Sequence, residues 1–196
     1  QRPSHSLAMG STLLPLDARM SGMYIGAATT VAWLLAMGRL RAAKAPPLNV
    51  FALLTLFVVA LAGDGVNALL TDLGLPHPYQ PSNALRLATG TLSGLSLGVA
   101  LGWLFGTSVW VHGDRARAVI GRPLELLAPG AIAAALGGLA LSGLPVLFAP
   151  FAVGLLLSAV AVIAMMGIVL LTLLGGPRRA CASSSDLAPV ALTGLV

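Results

Sequence analysis

The sequence predicts an all-α polytopic membrane bundle of about five transmembrane helices. Three observations predict it. Hydrophobic residues make up 57% of the chain and charged residues only 9%, whereas a soluble domain carries about 25% charged residues. Several apolar runs reach about 20 residues, enough to cross a hydrocarbon core about 30 Å thick. Most of the Lys and Arg residues fall in short segments between those runs. The net charge of +5 is therefore read as loop charge beside a membrane, and no nucleic-acid partner is expected. A chain of 196 residues fills one bundle and leaves no room for a separate soluble domain. Its only cysteine is Cys181, so neither an internal disulfide nor a thiol metal site is expected.

The chain opens at Gln1, as expected where a leader is removed or where further residues precede. Residues 1–19 are mixed and polar, with Pro3, Pro15 and Asp17, and are expected to form an extracytoplasmic interfacial arm. The first span covers about 20–38 and places Tyr24 at interface depth, where aromatic rings are favoured. Arg39, Arg41 and Lys44 follow, then Pro46 and Pro47 break the chain. The second span, about 48–70, contains Asp64 and Asn67 near its far end. A connector with Pro76, His77, Pro78, Tyr79 and Pro81 is too rich in proline for helix.

The third span, about 84–111, carries Gly90, Gly94, Gly98, Gly102 and Gly106. In a soluble helix each glycine costs about 1 kcal/mol relative to alanine. In a bilayer a strip without side chains lets another backbone approach closely. At roughly 100° per residue the strip drifts about 40° at each step, so two neighbours are expected to share it. Packing is the main reading; the alternative is a groove for a lipid, quinone or pigment tail. Arg115, Arg117 and Arg122 lead to the fourth span, about 124–147, and a turn around Pro145 and Pro150 leads to the fifth, about 151–174. Gly175, Gly176 and Pro177 stop that helix, and residues 175–196 form the tail.

With five spans, eight of the eleven Lys and Arg residues fall on one side. The positive-inside rule then puts the arm outside and the tail in the cytoplasm. The same topology gathers the polar residues that are hardest to explain. Asp64 and Asn67 lie in the outer half of the second span, Arg86 opens the third, and Asp17 and Arg19 border the first, with Asn83 above and Tyr24 at the same depth. An Asp within a span costs roughly 2.5–3.5 kcal/mol on insertion scales and pairs inside the bundle. The expected pair is Asp64 with Arg86, with Arg19 as a further cation. This cluster reads either as a structural pin or as a polar pocket for a headgroup or redox cofactor. His5 and His77 have no metal-ligand spacing, Trp33, Trp103 and Trp110 read as interfacial anchors, and no catalytic motif is present.

Four separated pieces carry a family resemblance. They are Gln1-Arg2-Pro3-Ser4-His5-Ser6, then Ala18-Arg19-Met20-Ser21-Gly22-Met23-Tyr24-Ile25-Gly26, then Asp64-Gly65, then Ser82-Asn83-Ala84-Leu85-Arg86 with Thr89-Gly90 and Gly94. Together they resemble a family of small prokaryotic predicted membrane proteins of unknown function, over roughly residues 1–106. That family's pattern has a Cys-His before the first piece, which would precede Gln1, and paired cysteines at the positions of Asp17 and Met20. An Asp and a thioether are a poor substitute for two thiolates. The resemblance therefore implies a member that keeps the scaffold and has lost a thiol site.

Three functions follow as expectations. The first is a non-catalytic accessory or structural subunit of a larger complex of respiratory or photosynthetic type in a prokaryotic inner (plasma) membrane, packing through Gly90–Gly106. Its partners would be other integral-membrane subunits and lipids, with no metal and no cofactor beyond a lipid, quinone or pigment tail. The second is a small transporter or channel using Asp64 and Arg86. The third is a degenerate outer-face thiol or metal redox protein.

Overall fold

A pair of helices running in the same direction forms the centre of the molecule in the computed structural model, which describes residues 5–110 and 112–174. Helix α1 (Ala18–Ala36) starts where the Asp17 carboxylate accepts the Met20 N–H at 2.7 Å, a side-chain N-cap. Helix α3 (Asn83–Ser108) starts in the same way on Ser82, whose hydroxyl accepts the Leu85 N–H. The glycines of α3 explain how closely the two approach. A Cβ on Gly90 would be driven into the Arg19 carbonyl, one on Gly94 into the Met23 carbonyl, and one on Gly98 would lie 2.6 Å from the Thr30 Cβ. Gly102 faces the Leu34 side chain. In return, Gly22 and Gly26 of α1 lie against the Leu87 and Thr91 carbonyls of α3.

The strip meets a helix along most of its length and a short strand at its end. α1 covers Gly90 to Gly102, with Val119 also near Gly102, and Gly106 abuts Ala42 of the strand. The reason lies in α1 itself. Gly22, Gly26 and Thr30 also recur at every fourth position, so both strips drift around their helices at the same rate and stay in contact. The strip is therefore filled from within the chain. It offers neither a docking face for another subunit nor a groove for a tail.

Helix α2 (Leu48–Asp72) packs on α3. Helix α4 (Leu127–Leu141), entered through a 3-10 turn at Pro123–Leu126, packs on both α1 and α3, as does α5 (Phe148–Leu174). Four helical segments are long and apolar enough to cross a membrane: Leu48–Asp72, Asn83–Ser108, Pro123–Leu141 and Pro145–Leu174. The most apolar window of α3 is 67% buried, against 22% for α2 and for the Pro145–Leu174 segment. The three helices are similarly long, so side-chain size and not length assigns α3 to the interior. α1 is the fifth helix and is less apolar, because Arg19, Ser21, Tyr24, Thr29 and Thr30 interrupt it.

The helix ends are tied at both poles of the bundle. At one pole the arm is a β-hairpin, β1 (Ser6–Met9) and β2 (Thr12–Asp17), a structure the sequence reading did not anticipate. Its turn uses Gly10 at φ 62 and donates the Gly10 N–H to the Gly143 carbonyl between α4 and α5. Gly143, at φ 68, ends α4 at Leu141 and not near 147, and α5 begins at Phe148 through a 3-10 turn at Pro145–Leu147. At the other pole, β3 (Ala42–Lys44) pairs in parallel with β4 (Asp114–Ala118), joining the α1–α2 and α3–α4 loops. Trp103 and Trp110 donate their indole N–H groups to the Ala43 and Leu40 carbonyls there, and Arg39 pairs with Glu125. The tail, with Cys181, lies outside the described residues.

Candidate functional site

Asp64 is the organising residue of the hairpin pole. It lies on α2 in the sequence Gly63-Asp64-Gly65, and its side chain is 1% exposed. Arg19 of α1 donates Nη2 to Asp64 Oδ2 at 2.5 Å. The Tyr79 hydroxyl donates to Oδ1 at 3.0 Å, and the Thr89 hydroxyl reaches Oδ2 at 3.4 Å while also contacting the Leu85 carbonyl. Gly65 lies beside this pair, and a Cβ there would stand 3.9 Å from Arg19 Nη1, in ordinary contact. One carboxylate thus joins α1, α2, α3 and the connector.

The expected Asp64–Arg86 pair is not formed. Arg19 takes that place because the parallel α1–α3 seam sets Arg19 beside Gly90 and level with Asp64. Arg86 donates Nη1 to Asn83 Oδ1 at 3.2 Å, and Asn83 donates Nδ2 to the Ser6 carbonyl of the hairpin at 3.1 Å. Asn67 fixes the connector, donating Nδ2 to the Tyr79 carbonyl at 2.9 Å and accepting the Tyr79 N–H at 3.4 Å. Asp17 contributes the α1 cap. Tyr24 is the member of the expected cluster that the fold leaves out, since it packs among Ile25, Ala27 and their apolar neighbours.

A small pocket of about 180 Å³ lies beside the ion pair, bounded by His5, Asp17, Arg19, Asp72, Arg86 and Gly65. His5 had no ligand spacing in the sequence and joins the site through the hairpin fold. Asp72 and Thr89 were missed as site residues. Asp72 had a usable signal, because it lies seven residues after Gly65 and so on the helical face that lines the pocket. Tyr79, in the proline-rich connector, is a donor to the Asp64 carboxylate. Desolvation raises its phenol above the usual tyrosine value, and the hydrogen bond to Asp64 and the negative charge of Asp64 add to the rise. The phenol therefore stays protonated and donating at neutral pH.

Chemically, this is a carboxylate with both oxygens occupied by donors, which makes it a clamp and not a free base. Among the described residues, no three His, Cys, Asp or Glu side chains are grouped to hold a metal ion. Asp17 and Met20 are the two ends of the α1 cap hydrogen bond.

Residues 1–100 match the family described as "Predicted membrane protein (DUF2085)". The chain belongs to that family. The family match runs from the hairpin through α1 and α2 into α3 and so contains every residue of the Asp64 cluster, whereas α4 and α5 follow it. No curated protein and no solved structure matches the chain.

Proposed function

We propose that this family member is a multi-pass protein of a prokaryotic inner membrane, with α1 as its fifth span, and that it acts as a non-catalytic structural subunit of a larger membrane complex. One observation carries the reading. α2 and α4 both lie on α3 and leave between them an apolar slot of about 690 Å³. α4 presents Gly130, Ala134 and Gly138 to it at every fourth position, and a Cβ on Gly138 would meet nothing within 4 Å. The α4 lining runs from Leu127 to Leu141, about 21 Å at 1.5 Å per residue. This small-residue face suits a transmembrane helix of a partner. The orientation, with the hairpin pole outside and the tail in the cytoplasm, is supported by the excess of cations at the strand-pair pole.

The test is gentle native purification from the protein's own membranes with mass determination, combined with Gly138→Cys cross-linking in a Cys181→Ser background. A discrete heavier assembly, cross-linked through position 138, is the expected result. A lone particle with no protein adduct overturns the reading. A second reading, a small transporter, is favoured by the pocket that reaches Arg19 and Arg86. It requires solute flux in proteoliposomes that falls in Asp64→Asn, and no such flux is expected.

A further inference from the structure

The strand-pair pole carries six cations, Arg39, Arg41, Lys44, Arg115, Arg117 and Arg122, against two carboxylates, Asp114 and Glu125. Both carboxylates are engaged within the pole. Glu125 pairs with Arg39 and accepts the Gly121 N–H, and Asp114 accepts the N–H groups of Ala116 and Arg117. Among the described residues, no carboxylate pairs with Lys44, Arg115 or Arg117. Arg115 and Arg117 are two apart on exposed β4, so they project to the same side of the strand.

Two cavities meet at this pole. A polar pocket of about 610 Å³ is lined by Thr107, Trp110, His112 and Arg115, with Ala43 of β3 as a wall. An apolar cleft of about 440 Å³ runs between α2 and α3, lined by Phe51, Leu54, Val58, Leu97, Ala100 and Trp103 and closed near the pole by Pro46. Trp103 joins the two, since its indole N–H donates to the Ala43 carbonyl at 3.3 Å. The α3 lining of the cleft extends from Ser93 to Trp103, about 15 Å at 1.5 Å per residue. That is the depth of one leaflet in a hydrocarbon core of about 30 Å.

From this juxtaposition we infer that the strand-pair pole is a binding site for an anionic glycerophospholipid of the adjoining leaflet. Its phosphate sits among Arg115, Arg117 and Lys44, and one acyl chain lies in the α2–α3 cleft. The basic rim selects the charge, guanidinium groups suit phosphate oxygens, and the one-leaflet depth suits a lipid chain and not a spanning helix. The inference is independent of the α2–α4 slot.

Native mass spectrometry of the full chain, after exchange with micelles containing phosphatidylglycerol or phosphatidylcholine of identical chains, tests it. Phosphatidylglycerol is expected to be retained in preference, with the preference falling about fivefold for each of Lys44→Gln, Arg115→Gln and Arg117→Gln. Ala100→Phe fills the cleft from an exposed position without altering a charge, and is expected to weaken retention as well. Equal retention of the two lipids by the unaltered chain overturns the proposal. Retention indifferent to Ala100→Phe removes the acyl half of the site and also overturns it. Displacement by free glycerol 3-phosphate as effective as by the lipid would assign the pole to a soluble phosphate compound instead.

Discussion

The two poles of this bundle use charge in opposite ways. At the hairpin pole Arg19 and Arg86 stand among Asp17, Asp64 and Asp72, and Asp64 is sealed between α1, α2 and α3 with three donors around it. At the strand-pair pole most cations remain outside the fold, on exposed β4 and its neighbours. A buried carboxylate is tolerable only when its donors are supplied, so the hairpin pole binds its own elements together. Solvated cations add little to cohesion and leave their field available to the membrane surface. The lesson is that charge number alone does not locate a site; the partner of each charge does.

The sharpest way to break this contrast is Asp64→Ala, which strips the acceptor from Arg19, Tyr79 and Thr89. It is expected to destabilise the protein by about 3 kcal/mol, the low end for a broken buried pair because Arg19 is partly exposed. Reversible unfolding in mixed micelles measures it. A loss below about 1 kcal/mol would show that the clamp is not cohesive.

Next come the two ends of the glycine strip. Gly90→Ala collides with a helix backbone at the hairpin pole and is expected to cost about 2–3 kcal/mol, whereas Gly106→Ala meets a three-residue strand that can shift and is expected to cost about 1 kcal/mol. The same unfolding assay ranks them, and equal losses would mean that β3 is held as rigidly as α1. Tyr79→Phe removes one hydrogen bond from a half-exposed ring and is expected to cost about 1 kcal/mol.

The Tyr79 phenol also gives a pH signature. The chain has two tyrosines, so phenolate absorbance in Tyr24→Phe reports Tyr79 alone, and its midpoint is expected above the usual tyrosine value. The sign follows from linkage. The stabilisation is fully present below the unfolded phenol's pKa and is lost as pH rises through the higher folded value. Asp64→Asn should lower the midpoint only in part, because desolvation, the largest cause, remains. The smallest effect belongs to the other pole, where Arg117→Gln is expected to change stability by less than about 0.5 kcal/mol.

Much of this architecture was legible in the residues. Apolar run length located the helices, and the spacing of the glycines marked the surface that had to be closely approached. The main partner of that surface shows only when the matching spacing of Gly22, Gly26 and Thr30 on α1 is set beside it. Asp64, Asn67, Asn83 and Arg19 stand at the hairpin pole, each tied to another element there. Which cation meets Asp64 depended on the axial stagger of two parallel helices, and no local pattern encodes that. The hairpin escaped notice because Ser6–Asp17 lacks the strict alternation that marks a strand; its pairing is irregular between Ser6 and Ala8. The β3–β4 pair joins two loops about seventy residues apart, and strands of three and five residues leave almost no trace in sequence.

The parallel seam between α1 and α3 has a consequence for how the chain is made. Ala36 is synthesised 72 residues before Ser108, an interval of roughly 4–14 s at about 5–20 residues per second. Until α3 emerges, α1 has no surface to cover Gly22 and Gly26, and its Arg19 must wait for Asp64. The first helix is therefore complete before the surface that covers its glycines exists, and is captured only when the third helix arrives.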